Sequence, residues 1–183
     1  MKKSVLGIIC ARSGSKRFPK KNLKIIGGKS LLEIATETLC RSNVDLLVLA
    51  TDFKPDFELS KYGAEHLKRA SNISSNYVPL QETVKWAYYS LNRRFDYITF
   101  LMPNCPAIGY EDVNAALDLA ISKELNVVRS YNSKGEENGL VIIRTGYLED
   151  HFIDVYCGAI IAEGDEIHNR SDYLKVKEEL EKK

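Results

Sequence analysis

No stretch of this sequence is apolar for long enough to cross a membrane. The run Val5 to Ala11 follows Lys2 and Lys3 and is too short for a span, or for the apolar core of a signal peptide with its cleavage site. A soluble, cytoplasmic protein with no membrane partner is expected. The four cysteines, Cys10, Cys40, Cys105 and Cys157, form no CxxC pair and sit mostly beside apolar runs, which points to reduced, packed thiols rather than a disulfide or zinc framework. Neither GxxxxGK[ST] nor GxGxxG is present, so a Walker A loop and a dinucleotide fingerprint are both excluded. There is no internal repeat, no low-complexity tract and no linker. A net charge of +1 gives no global case for a nucleic-acid partner, and none is expected. One local absence stands out: residues 1–30 contain no Asp or Glu, yet hold nine Lys and Arg.

What is present reads as alternating strands and helices. At 183 residues and 44% hydrophobic content the chain suits one well-buried core, so a single domain over 1–183 is expected. Val5 to Cys10 is a buried strand that delivers a loop, and Ser30 is a plausible N-cap, with Glu33 as capping-box partner, for a helix carrying Leu31, Leu32, Ile34, Ala35 and Leu39. Asp45 to Ala50 is a second strand, and Glu58 to Tyr62 a short helix that Gly63 can end. Thr83 to Leu91 and Tyr110 to Ser122 read as helices around a strand at Tyr97 to Leu101. Trp86, Tyr88 and Tyr89 fall on a helix face that is mainly core. Short strands are expected at Asn126 to Arg129, Leu140 to Ile143 and Ala159 to Ala162, a surface loop at Ser130 to Glu137, and a polar helix at Asp172 to Glu181. This alternation predicts a three-layer α/β sandwich on a mostly parallel sheet, with ligands at the carboxyl ends of the strands.

The loop Ala11 to Asn22 follows the first strand. Small residues Ser13, Gly14 and Ser15 let backbone N–H groups turn toward one point, and Arg12, Lys16, Arg17, Lys20 and Lys21 ring it without one carboxylate. Pro19 stiffens the second half, and Lys21 and Asn22 return donors to the same place. Such an anion cradle suits a triphosphate, which needs several charge-assisted contacts. A solvated basic loop is the plainer alternative.

The run GIICARSGSKRFPKKNLKIIGGKSLLE at 7–33 resembles the opening of the CMP-sialic acid synthetase (acylneuraminate cytidylyltransferase) family: an apolar strand, then ARxGSKRxPxKN, then a helix start. LLVLATD at 46–52, SKYGAEHLKR at 60–69 and FDYITFLMPNCPAIGYEDV at 95–113 are similar to later segments of that family, so the resemblance covers roughly residues 4–120. It implies the nucleotide-diphospho-sugar transferase, Rossmann-like type of fold. It also implies transfer of CMP from CTP to a small acidic sugar or phosphorylated acceptor, with release of pyrophosphate and a divalent metal, Mg²⁺ or Mn²⁺, and a possible homodimer. The implied nucleotide contacts are the loop residues Ala11, Arg12, Ser13, Gly14, Ser15, Lys16, Lys21 and Asn22, together with Arg69. Arg12 and Lys21 are the implied catalytic pair, Lys21 stabilising charge on the α-phosphate.

The sequence departs from the family at three points. The family's Gln-Pro-Thr-Ser-Pro is here Met102-Pro103-Asn104-Cys105-Pro106, which implies a changed acceptor site with Asn104 as its contact. The family's metal-binding Asp-x-Asp is matched by Glu166-Ile167-His168, making Glu166 and His168 the candidate ligands; Asp52 is a weaker one, and His168 is otherwise an ordinary surface histidine. An insertion before the strand at Leu140 is missing, and only Arg129 to Gly139 remains. Cys105 is read as a packed thiol, and His66 and His151 as structural or exposed. Two other functions stay open: a nucleotide-binding protein without turnover, and a nucleotidyltransferase that uses another base.

Overall fold

A computed structural model describes residues 2–70, 72–75, 77–149 and 156–182. The first strand, β1 (Val5–Ala11), is buried along its whole length. A tiny hairpin of β2 (Ile25–Ile26) and β3 (Lys29–Ser30) leads into α1 (Leu31–Cys40). Then come β4 (Leu46–Thr51), β5 (Ala64–Lys68), α2 (Leu80–Ser90), β6 (Tyr97–Leu101) and α3 (Tyr110–Ser122). The chain ends with β7 (Val127–Tyr131), β8 (Glu137–Arg144), β9 (Cys157–Ile161) and α4 (Arg170–Glu181).

Seven strands form one sheet in the order β5-β4-β1-β6-β8-β7-β9. β8 runs against both of its neighbours, and every other pairing is parallel, as the α/β alternation predicts. Alternate residues of β1 serve opposite faces. Val5, Ile9 and Ala11 pack with α1 and α3, while Leu6, Ile8 and Cys10 pack with Val84 and Ala87 of α2. The expected three layers are therefore present. Each fully buried Leu, Ile or Val on this strand contributes about 1.5–3 kcal/mol of transfer free energy, so β1 is the axis of both cores. Among the described residues no helix is long and apolar enough to cross a membrane.

Ser30 caps α1, its hydroxyl accepting from the Glu33 N–H at 3.2 Å, while the Glu33 carboxylate takes the Tyr62 hydroxyl at 2.7 Å. Gly63 closes the short turn at Leu59–Tyr62 with φ +59°, a conformation that a β-carbon disfavours. His66 meets the Thr51 hydroxyl at 2.8 Å, a structural bond as expected, and His151 lies outside the described residues.

Four readings need correction. β5 is not expected from the sequence, because Glu65, His66 and Lys68 are polar and exposed and only Ala64 and Leu67 are apolar; it is held by its backbone ladder to β4. The expected loop Ser130 to Glu137 is shorter than read: residues 132–136 turn, while Ser130, Tyr131 and Glu137 belong to β7 and β8. Tyr89 is exposed rather than core and bonds the Glu149 carboxylate. Of the cysteines, Cys10 and Cys105 are buried thiols, whereas Cys40 and Cys157 are exposed.

Candidate active site

The loop after β1 is pinned along its length. At its start Asp52, just past β4, accepts from the Ser13 N–H at 2.7 Å and from the Ser13 hydroxyl at 2.9 Å. Phe18 plugs a small core with Ile26, Leu31, Ile167 and Val176, tying the loop to the chain around α4. Lys20 then takes a left-handed conformation at φ 54°, which reverses the chain into a tight turn at Lys21–Leu23. The turn brings the Asn22 amide back to donate to the Arg12 carbonyl at 3.2 Å.

This folding sorts the cations. Arg12, Ser15, Lys21, Asn22, Arg69 and Asn104 line one cavity of about 310 Å³ at the carboxyl ends of β1 and β6. Lys16, Arg17 and Lys20 face solvent, and Gly14 lies open with no atom near where a β-carbon would stand. Ser13 and Asp52 serve to hold the loop, and Ala11 contributes its carbonyl to Arg69.

Among the described residues Arg12, Lys21 and Arg69 have no carboxylate partner within salt-bridge distance. Arg12 donates to the Ser75 carbonyl at 3.4 Å and Lys21 to the Ile167 carbonyl at 2.9 Å. Arg69 is only 7% exposed; it donates to the carbonyls of Ala11 at 3.4 Å and Ile73 at 2.6 Å and to the Thr83 hydroxyl at 3.3 Å, while its Nε has no partner. Burial lowers the pKa of both Lys21 and Arg69. Nearby charges oppose it, Glu166 chief among them for Lys21. Buried cations without anions are costly, and an anionic ligand would supply what is missing. Burial pushes the Cys10 thiol up to about 12 and raises Cys105 as well, so both are neutral packing groups, as read from the sequence.

The far wall comes from the chain after β6 and the segment before α4. Asn104 is buried and its amide donates to Glu166 at 3.4 Å. Glu166 Oε2 lies 3.0 Å from His168 Nε2, with the Glu166 side chain 17% exposed and that of His168 52%. The two candidate ligands are thus neighbours. Their spacing matches adjacent positions around a small cation bound at about 2.1 Å, but no cluster of three ligating side chains occurs among the described residues. A cation here would need further oxygens, which nucleotide phosphates can give. Sequence reasoning missed Thr83, Met102 and Leu80 as pocket residues. The signal for Met102 was its place immediately after a buried strand; Leu80 and Thr83 sit in the first turn of α2, where nothing in the sequence marks them.

Comparison with known proteins gives a consistent picture. Residues 6–92 match the family model described as cytidylyltransferase. The chain is 31% identical over 125 residues to a pseudaminic acid cytidylyltransferase of Campylobacter jejuni, covering 65% of this chain and 54% of that protein. It is 25% identical over 171 residues to a CMP-N,N'-diacetyllegionaminic acid synthase of Legionella pneumophila, covering 84% of this chain and 71% of that one. Among solved structures, a CMP:2-keto-3-deoxy-manno-octonic acid synthetase complexed with CTP superposes with a TM-score of 0.78 at 15% identity, covering 98% of this chain and 99% of that chain. The fold is therefore of the nucleotide-diphospho-sugar transferase type. The chain spans about half the length of the Campylobacter relative.

Proposed function

We propose that this chain, which is similar to the CMP-sialic acid synthetase-like cytidylyltransferases, transfers CMP from CTP to a small acidic sugar or phosphorylated acceptor. The observation that carries the reading is the set of three cations, Arg12, Lys21 and Arg69, which line one cavity with no carboxylate within salt-bridge distance among the described residues. In the reaction an acceptor hydroxyl oxygen attacks the α-phosphorus, the bond from that phosphorus to the bridging oxygen breaks, and pyrophosphate leaves. The hydroxyl proton passes to solvent. Arg12 and Lys21 neutralise charge that grows on the phosphoryl oxygens, and the pinned loop holds them in place beforehand, so no covalent intermediate is needed. Arg69, beside Leu80 and Thr83, borders the space for the base. On this reading the space there admits cytosine in preference to a purine, so CTP binds ahead of ATP and GTP.

Glu166 and His168 would hold the divalent cation, Mg²⁺ or Mn²⁺. When bound, it would supply additional positive charge to the phosphates. One carboxylate with one imidazole favours Mn²⁺, and His168→Asp shifts the preference toward Mg²⁺. We read residues 1–183 as one domain working in the cytoplasm.

The test is pyrophosphate release from CTP with Mg²⁺ or Mn²⁺ across a panel of sugar acids and sugar phosphates. A second reading, a CTP-binding protein without turnover, draws on the mutual pairing of Glu166 and His168 and the lack of a third ligand among the described residues. Tight CTP binding with no pyrophosphate released over the whole panel would select it.

A further inference from the structure

The nucleotide pocket uses only part of the excess of cations in residues 1–30. Lys2 and Lys3 pair with Asp45 and Asp96, Lys29 pairs with Glu37, and Arg12 and Lys21 line the pocket. Lys16, Arg17, Lys20 and Lys24 are left over, and among the described residues none of them has a carboxylate within salt-bridge distance. Arg17 and Lys24 line a second cavity of about 600 Å³, together with Phe18 of the same loop and Arg170, Tyr173 and Leu174 of α4. This cavity shares no residue with the nucleotide pocket. Arg170 is exposed and likewise lacks a carboxylate partner among the described residues, so three uncompensated cations meet across it.

Two features distinguish this cavity from a solvated basic surface. Its apolar wall is set in advance: Phe18 is fixed in the core with Ile167 and Val176, and Tyr173 stands with its ring centre 5.6 Å away, its hydroxyl donating to the Ile25 carbonyl at 2.5 Å. Leu174 adds a side chain left 54% exposed. The cations, in turn, converge on that wall from two segments. Lys24 Nζ lies 5.2 Å from the centre of the Phe18 ring, and Arg170 opens α4 on the far side. Like charges gathered without an anion repel one another, and a bound anion removes that cost. A bare inorganic anion would leave the apolar wall in water, whereas one with a flat aromatic body would cover it. The guanidinium planes of Arg17 and Arg170 suit both parts of such a ligand, since arginine stacks on rings and pairs with phosphate.

We propose that this groove is a second nucleotide site, in which a nucleoside phosphate lays its base along Tyr173 and Leu174 and its phosphates against Arg17, Lys24 and Arg170. Stacking on aromatic and guanidinium faces tolerates any base, so the groove accepts purines and pyrimidines alike, unlike the pocket beside Arg69. The inference stands apart from the CMP-transfer reading, because it uses none of the residues assigned to that reaction.

Equilibrium dialysis of the full chain against CTP, ATP and inorganic tripolyphosphate tests it. Wild type is expected to bind two CTP molecules but one ATP. Arg17→Gln and Arg170→Gln should each weaken ATP binding about tenfold, whereas Arg12→Ala should weaken one of the two CTP sites and leave ATP unaffected. Tripolyphosphate, which has the charge without the base, should bind about tenfold more weakly than ATP. A single CTP and no ATP per chain overturns the second site. ATP binding that survives both arginine substitutions overturns its location. Tripolyphosphate held as tightly as ATP, or Lys16→Gln costing as much as Arg17→Gln, overturns the nucleotide assignment in favour of a diffuse basic surface. If CTP binds only where Arg17 and Arg170 control it, the second site stands and the nucleotide pocket with its transfer reading falls.

Discussion

The parallel half of the sheet, β5-β4-β1-β6, and the half containing the reversed strand, β8-β7-β9, bring polar groups to the same edge and use them in opposite ways. The parallel half leaves its charges open: Arg12 and Lys21 follow β1, Arg69 follows β5, and among the described residues none of the three, all lining the pocket, has a carboxylate within salt-bridge distance. In the other half two buried polar side chains bond within the scaffold. The Ser130 hydroxyl donates to Asn138 at 2.6 Å, and the Asn138 amide donates to the carbonyls of Ala162 at 2.5 Å and Gly164 at 3.2 Å, with both side chains buried. That network fixes the chain leading to Glu166 and His168. Unsatisfied buried charge indicates a ligand site, and satisfied buried polarity indicates a scaffold.

The largest effects should separate inward from outward cations on the same loop. Arg12→Ala and Lys21→Ala each remove a charge-assisted contact of about 1.5–3 kcal/mol, so CTP affinity should fall about tenfold to a hundredfold. Lys16→Ala, on the exposed side, should change it less than about threefold. Calorimetric titration reads all three; equal losses would mean the loop acts as a diffuse basic patch.

In the scaffold half the damage should appear in stability instead. Asn138→Ala strips partners from two backbone carbonyls and the Ser130 hydroxyl, costing about 2–3 kcal/mol, or about 5–10 °C in melting temperature. The folded fraction should still bind CTP with nearly unchanged affinity. A variant that melts normally but loses CTP would place Asn138 in the binding site.

The two halves also differed in how far the sequence disclosed them. The loop was legible because its small residues and cations are contiguous, and α3 was legible to the residue because its apolar spacing is regular. Which cations point inward was not, since that depends on the left-handed Lys20 and on Phe18 reaching a core built partly from Ile167, about 150 residues away. In the other half, the reversal of β8 and the burial of Ser130, Asn132 and Asn138 arise from long-range pairing, and by composition those residues resemble a loop. Arg69 was placed by family resemblance alone; nothing local marks it as buried.

A smaller effect tests the inward charge by pH. Burial lowers the Lys21 pKa below the ordinary 10.5, and the protonated form is the one that attracts phosphate. As pH rises through the lowered value the charge is lost, so CTP affinity should decline at a pH where free lysine is still protonated. Lys21→Arg stays protonated throughout and should flatten that decline. Isothermal titrations from neutral to alkaline pH would show it; an identical decline in the arginine variant would assign the titration elsewhere.

The smallest expected effect lies in the scaffold half, at Asp165. Hydrogen bonds from Lys175 at 2.6 Å and Lys134 at 2.9 Å hold its carboxyl down to about 2 from the ordinary 3.8. A depressed carboxyl contributes stability that is fully present above the unfolded value and disappears as pH falls toward the folded one, so the relevant window runs from about pH 4 down to about pH 2. The two lysine side chains are more than half exposed, at 57% and 55%, so solvent screens the pair and its whole contribution should amount to about 1–3 °C in melting temperature. Asp165→Asn should therefore melt slightly below wild type at neutral pH, and the gap should close across that acid window. Thermal scans at pH 7, 4 and 2.5 measure it. A gap that persists unchanged at pH 2.5 would mean Asp165 stabilises the turn at Asn132 through its hydrogen bond from the Asn132 amide at 3.3 Å, which asparagine would alter at every pH, rather than through its charge.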